Sequence, residues 1–356
     1  MSIVLFIIGL SLLIIAHEFG HFFAAKRLGL LVEEFGIGFP PRLFKLRRGE
    51  TVYSINAIPF GGFVKIAGEV LSSPKGEVLS SPKGEKPDEP SEPSQRNRLI
   101  THRPAWQRAV VMVAGVVMNF IAGWLLLAAV LMIGIPPGVV ITGIAPNSPA
   151  ATAGIEAGDL IVGYETSEAF SAFIQDHAGQ EITLALTRSG DEQRVTLTPR
   201  ANPPEGEGAL GVSIADTGLE AVNPARALWQ GLMGAGAMLW GIVAGLGMMI
   251  AGIFTGGAGL EDLAGPVGIF QIGTQAASFG VAALLQFFAI ISINLTVLNL
   301  LPVPALDGGR LLFLLIEKIK GSPIAQKREA IANLIGFALL LLLMLVITVR
   351  DVARLL

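Results

Sequence analysis

Residues 2–25 read SIVLFIIGLSLLIIAHEFGHFFAA, an apolar run that continues without a break into two histidines and a glutamate. About 20 apolar residues suffice to cross a bilayer. A cleaved leader would show a basic start and a small-residue cleavage site. Neither is present here, so the segment reads as a retained transmembrane helix, roughly Ser2–Ala25. A carboxylate such as Glu18 at the centre of a membrane helix costs about 2.5–3.5 kcal/mol on insertion scales. Some local chemistry has to compensate for it.

The chain as a whole has the composition of a polytopic membrane protein. Apolar residues make up 52% of it, charged residues only 15%, and glycine is abundant. Cysteine is absent, which excludes disulfides and thiolate metal sites and leaves His, Asp and Glu as metal ligands. Three more segments are long enough to span: 109–135, 281–301 and 331–349. A further one, 225–254, is rich in Gly and Ala and either spans or lies at the interface.

Loop charge sets the orientation. Thirteen Lys and Arg lie between Lys26 and Arg103, whereas 136–223 holds Arg188, Arg194 and Arg200 against a dozen acidic residues. The stretch with Arg310, Lys318, Lys320, Lys327 and Arg328 is basic again. Residues 26–108 and 310–330 therefore face the cytoplasm and 136–223 the outside. A crossing by 225–254 would put the end of 281–301 on the wrong side. Four spans are expected, with 225–254 at the outer interface or re-entrant.

Two segments between the spans read as β-rich. In 136–201, short β-like stretches alternate with turn signals, a helical stretch covers 167–179, and a hairpin turns at Ser189-Gly190-Asp191. The other is VEEFGIGFPPRLFKLRRGETVYSINAIPFGGFVKIAGE at 32–69. After it the octapeptide EVLSSPKG occurs twice, at 69–76 and 77–84, among Pro, Ser and charges. That composition reads as flexible linker rather than a recognition repeat. The expected division is 1–31, 32–69, a linker 70–103, a second span 104–135, an inserted domain 136–201, an outer or interfacial segment 202–280, a third span 281–310, and a loop with the fourth span in 311–356.

On a helix, residues four apart share a face, so His17 and His21 point the same way with Glu18 beside them. That spacing suits two ligands of one Zn²⁺ and a neighbouring general base. Histidines satisfied by hydrogen bonds between helices are the plainer alternative, but ionisable groups inside a span usually mark function. A catalytic zinc takes three protein ligands and keeps one position open. Asp307, in NLTVLNLLPVPALDGGRLL just past the third span, lies on the same side as the histidines and is the candidate third ligand. A turn-forming Asp-Gly-Gly is the alternative for that residue. His102 and His177 are placed less well.

HEFGH paired with NLLPVPALDGG resembles the site-2 protease family of intramembrane metalloproteases, in its bacterial, RseP-like branch. IPFGGFVKIAGE, SPAATAGIEAGD, LAGPVGI and the terminal apolar run are similar to that branch over nearly the whole chain. The resemblance implies a polytopic α-helical membrane protein of about four transmembrane helices, an inserted α/β PDZ-like domain and a membrane-associated β-hairpin. It implies zinc on His17, His21 and Asp307, Glu18 as general base, and Asn299 hydrogen bonded to the substrate backbone or oxyanion. Pro302 and Pro304 would break the helix ahead of Asp307. Implied partners are single-pass membrane substrates, anti-sigma factors among them, and the lipid bilayer, with no nucleic acid. The implied location is the bacterial cytoplasmic (inner) membrane, with the PDZ-like domain outside and the active site near the cytoplasm. AGVVMN departs from the family, which usually has Pro after Ala-Gly, and the role of Asn119 is left open. A catalytically silent PDZ-bearing scaffold and a metal transporter are the rival classes.

Overall fold

The computed structural model describes residues 2–69, 97–188, 191–204, 206–255 and 265–353. Most of the repeated octapeptide and the linker after it lie outside these residues. Helix α1 (Ser2–Arg27) leads into a long hairpin of β1 (Val32–Arg48) and β2 (Thr51–Ile66). Helix α2 (Ala105–Ile133) then carries the chain to the inserted domain.

That domain is a five-stranded sheet in the order β6-β5-β4-β3-β7. Its strands are β3 (Ile135–Ile144), β4 (Leu160–Ile161), β5 (Ile182–Arg188), β6 (Asp191–Leu197) and β7 (Val212–Leu219). Two short helices, α3 (Pro149–Thr152) and α4 (Ser167–Asp176), belong to it, and Val139, Ile141, Ile161, Phe170, Leu184 and Leu186 form its core. Strand β7 pairs antiparallel with β3, Val139 facing Asp216 and Ile135 facing Leu219. The domain thus runs past the expected end at 201, because its edge is closed by a strand with weak alternation. Arg188 ties β5 to the buried Asp159 through contacts of 2.6 and 2.7 Å.

Helices α5 (Pro224–Thr255), α6 (Pro266–Ser278), α7 (Val281–Leu300), α8 (Asp307–Lys320) and α9 (Gln326–Ala353) complete the described chain. Among the described residues five helices are long and apolar enough to cross a membrane, one more than expected; the additional one is α5. It is unbroken over 32 residues, so no re-entrant turn occurs within it. Its Gly and Ala residues let it lie close on α2, where a Cβ on Gly231 would stand 3.0 Å from the Ala128 backbone nitrogen.

A three-helix core of α1, α2 and α7 holds the rest. Gly9 lies against the ring of Phe288, Gly20 against the Ala114 carbonyl, and Gly123 against Ile293. Small residues at such crossings bring backbones together where no hydrophobic gain is available in lipid. The hairpin docks on the same core: Ser11 Oγ donates to the Pro59 carbonyl at 2.8 Å. Val32 faces Ile66 and Ile37 faces Gly62, while Arg42–Arg48 pairs with Thr51–Asn56.

One expected boundary moves here. The expected linker runs to 103, but Leu31 N–H donates to Arg98 O and Ile100 N–H to Ala67 O, with Ile100 buried. Residues 98–103 are therefore part of the hairpin's base.

Candidate metal centre

His17 and His21 lie on α1, one turn apart and facing α2. Asp307 opens α8, after a loop (301–306) in which Pro302 and Pro304 cannot donate a helical hydrogen bond. His17 Nε2 and His21 Nε2 are 3.1 Å apart, and they stand 3.1 and 3.3 Å from Asp307 Oδ2. Three donors on a tetrahedral zinc, each about 2.0–2.2 Å from the ion, are separated by about 3.3 Å.

The donor pattern suits a cation at that point. His21 Nδ1 donates to the Val111 carbonyl at 2.8 Å, so that in the neutral ring Nε2 presents a lone pair. Asp307 Oδ2 is buried with no hydrogen-bond partner. Lone pairs converging at this distance repel unless a positive charge lies among them. The nitrogen and oxygen donor set fits zinc.

The amide of Asn119 meets His17 Nδ1 at 3.1 Å. With Nδ2 toward the ring, Oδ1 is buried without a partner. The reversed amide, equivalent in shape, lets Oδ1 accept from Nδ1–H and leaves His17 Nε2 free to ligate. Asn119 is fully buried, and its backbone carbonyl accepts from Ser292 Oγ at 2.7 Å, which joins α7 to the same point.

Glu18 lines the same cavity as the three ligand candidates and also meets the hairpin, where Val64 N–H donates to its Oε2 at 3.1 Å. The cavity in front of these groups measures about 650 Å³ and is lined by His17, Glu18, His21, Asn119, Asn299 and Asp307. Phe39, Pro40 and Phe63 of the hairpin form its opposite wall. At its edge Arg310 forms an ion pair with Glu69, linking α8 to the end of the hairpin.

His17, Glu18, His21, Asp307 and Asn299 thus share one cavity. The exposed His102 and His177, which bonds to Phe173 O, lie elsewhere. Two residues were not anticipated as parts of the centre. A Cβ on Gly115 would stand 2.4 Å from His21 Nε2 and 2.8 Å from His17 Cε1, so the imidazoles fit only against a glycine. Asn333 of α9 reaches the loop before Asp307, donated to by Ala305 N–H at 3.1 Å. The signals were Ala-Gly four residues before Asn119 and a lone amide inside IANLIGFALLLLL.

Comparison with known proteins agrees with this chemistry. The sequence profile of peptidase family M50 matches residues 5–343. The zinc metalloprotease RasP of Geobacillus kaustophilus is 33% identical, the match covering 99% of this chain and 98% of the relative. The regulator of sigma-W protease RasP of Bacillus subtilis is 32% identical over 99% of both. A putative zinc metalloprotease of Clostridium acetobutylicum is 35% identical over 99% of this chain and 97% of the relative. Its helices and motifs place the chain in peptidase family M50, the site-2 protease family, as a zinc metalloprotease of the membrane.

Proposed function

We propose that this protein hydrolyses peptide bonds within the membrane segments of single-pass proteins, with His17, His21 and Asp307 holding the zinc and Glu18 as general base. The observation that carries the reading is the ligand triangle beside Glu18, in a cavity among apolar helices. Bound zinc supplies Lewis acidity toward the scissile carbonyl and toward water. Glu18 takes the proton of the attacking water on a carboxylate oxygen and passes it to the leaving amine. Asn119 and Val111 hold the two imidazoles in the tautomer that presents Nε2. Asn299, which lines the same cavity, donates to the substrate backbone.

A peptide bond inside a helix is shielded, so the substrate has to be extended before attack. The 61–66 part of β2 offers an edge for this by strand addition. Its Val64 N–H already points at Glu18. The far end of the hairpin exposes Leu43, Phe44 and Leu46 among Arg42, Lys45, Arg47 and Arg48, a pattern suited to the inner face of an anionic membrane.

Our topology keeps four crossings. Helix α5 begins beside the end of α2, where Trp124 Nε1 donates to Leu228 O at 2.8 Å. Helix α6 lies at the same end of the bundle, its Phe270 ring 5.4 Å from Phe6 near the start of α1. A crossing by α5 would force the nine residues 256–264 to return alone. Nine residues span the hydrocarbon only as extended chain, with backbone groups unpaired in lipid. We therefore read α5 as lying along the outer side of a bacterial cytoplasmic membrane, next to an outer PDZ-like domain. Since one relative is named for regulating sigma-W, a membrane-anchored anti-sigma factor is the class of substrate we favour.

The test is cleavage of a tagged single-pass substrate by purified protein in detergent. Wild type should form product, whereas Glu18→Gln and chelator-treated protein should not, the variant still containing zinc. Equal cleavage by zinc-loaded Glu18→Gln would remove Glu18 from the chemistry.

A further inference from the structure

Helix α9 carries none of the proposed ligands or catalytic groups, yet one of its polar side chains is turned inward. Asn333 is 8% exposed, while Ile331, Leu334 and Ile335 around it face outward. Its Oδ1 accepts the backbone N–H of Ala305 at 3.1 Å. Ala305 has φ of +79°, the left-handed region that side chains with a Cβ disfavour. It sits two residues before Asp307. Three residues further along α9, a Cβ on Gly336 would stand 2.4 Å from the Pro304 carbonyl, so the helix backbone lies directly against the same loop.

We infer that Asn333 is a positioning residue. Together with Gly336 it holds the loop 302–306 in the left-handed turn that delivers Asp307 to the two histidines. An asparagine serving only as glue between helices would bond to a neighbouring helix. Here its partner is the N–H of the one alanine in the loop with an unfavourable φ, and the proline just before that alanine, Pro304, lies against Gly336. The inference rests on Asp307 being a zinc ligand.

The test reads zinc rather than proteolysis. Purified full-length protein in detergent is titrated with a competing chelator, and retained zinc is measured for wild type, Asp307→Ala, Asn333→Leu, Asn333→Asp and Asn333→Leu combined with Ala305→Gly. Asp307→Ala should strip readily. Asn333→Leu should lose zinc at roughly tenfold lower chelator concentration. Asn333→Asp keeps an acceptor and should behave as wild type. Ala305→Gly should recover much of the loss, because glycine takes the positive φ without help. Wild-type retention by Asn333→Leu, or a loss that neither Asn333→Asp nor Ala305→Gly relieves, overturns the inference while leaving the ligand reading intact. Undiminished zinc in Asp307→Ala overturns both.

Discussion

The two halves of the proposed metal centre are built by opposite means. The histidine half is local: two residues one turn apart on a regular helix, pressed against a glycine on the next helix. The aspartate half is assembled from distant parts. Asp307 follows a loop broken by two prolines, with a left-handed alanine, Ala305, that is bonded to a side chain of α9 28 residues further along the sequence. A helix is a precise ruler and needs little support. An irregular loop at membrane depth is tolerated only when protein satisfies its backbone.

Three substitutions separate these halves, and a fourth probes the hairpin. Gly308→Ala should do the most damage. Its Cβ would stand 2.2 Å from the Leu301 carbonyl, a backbone atom that cannot rotate aside. Zinc retention should fall by more than about 100-fold, with about 1–3 kcal/mol lost from stability, measured by chelator titration and thermal unfolding. Gly115→Ala meets side chains instead, so the imidazoles can turn. Zinc affinity should drop about 100-fold with thermal stability nearly kept. Stability collapsing with Gly115→Ala but not with Gly308→Ala would reverse the contrast drawn here.

Asn119→Leu removes the acceptor for His17 Nδ1 and should weaken zinc about 10–100-fold. If zinc binding is unchanged, the reversed amide is wrong and the residue is packing alone. The smallest effect is expected at Glu50, in the hairpin's turn. The Lys26 ammonium, hydrogen bonded to it, holds its carboxyl below the ordinary range, with help from Arg98. A carboxyl more acidic when folded adds stability above its unfolded pKa of about 4.3, and that stability is lost as the pH falls through the folded value. The side chain is 35% exposed, so solvent screening leaves at most about 0.5 kcal/mol. Glu50→Gln should therefore lower the melting temperature slightly at pH 7, the gap closing as the medium is acidified below pH 4. A gap that widens in acid would contradict the ion pair.

The same contrast explains what was legible in the sequence. His17, Glu18 and His21 follow from a motif with helical spacing. Asp307 needed an argument about which side of the membrane it occupies, and motif resemblance supported it. Gly115 and Asn333 were not legible, because their roles exist only once helices far apart in sequence touch. Strand β7 was missed for a related reason: it is an edge strand beyond a Pro- and Gly-rich stretch, and its place is set by pairing with β3 rather than by its own pattern. For α5, hydropathy gave length and composition, which leave open how it lies relative to the bilayer.

The pairing of β3 with β7 has a mechanical side. Gly134 alone separates α2 from β3, and residues 220–223 alone separate β7 from α5, with Val222 N–H bonded to Leu131 O at 2.9 Å. The inserted domain is thus held by two short, adjacent tethers rather than swinging on a single cord. Torque applied to it passes into α2 and α5, and α2 is the rod that carries Gly115 and Asn119 near its middle.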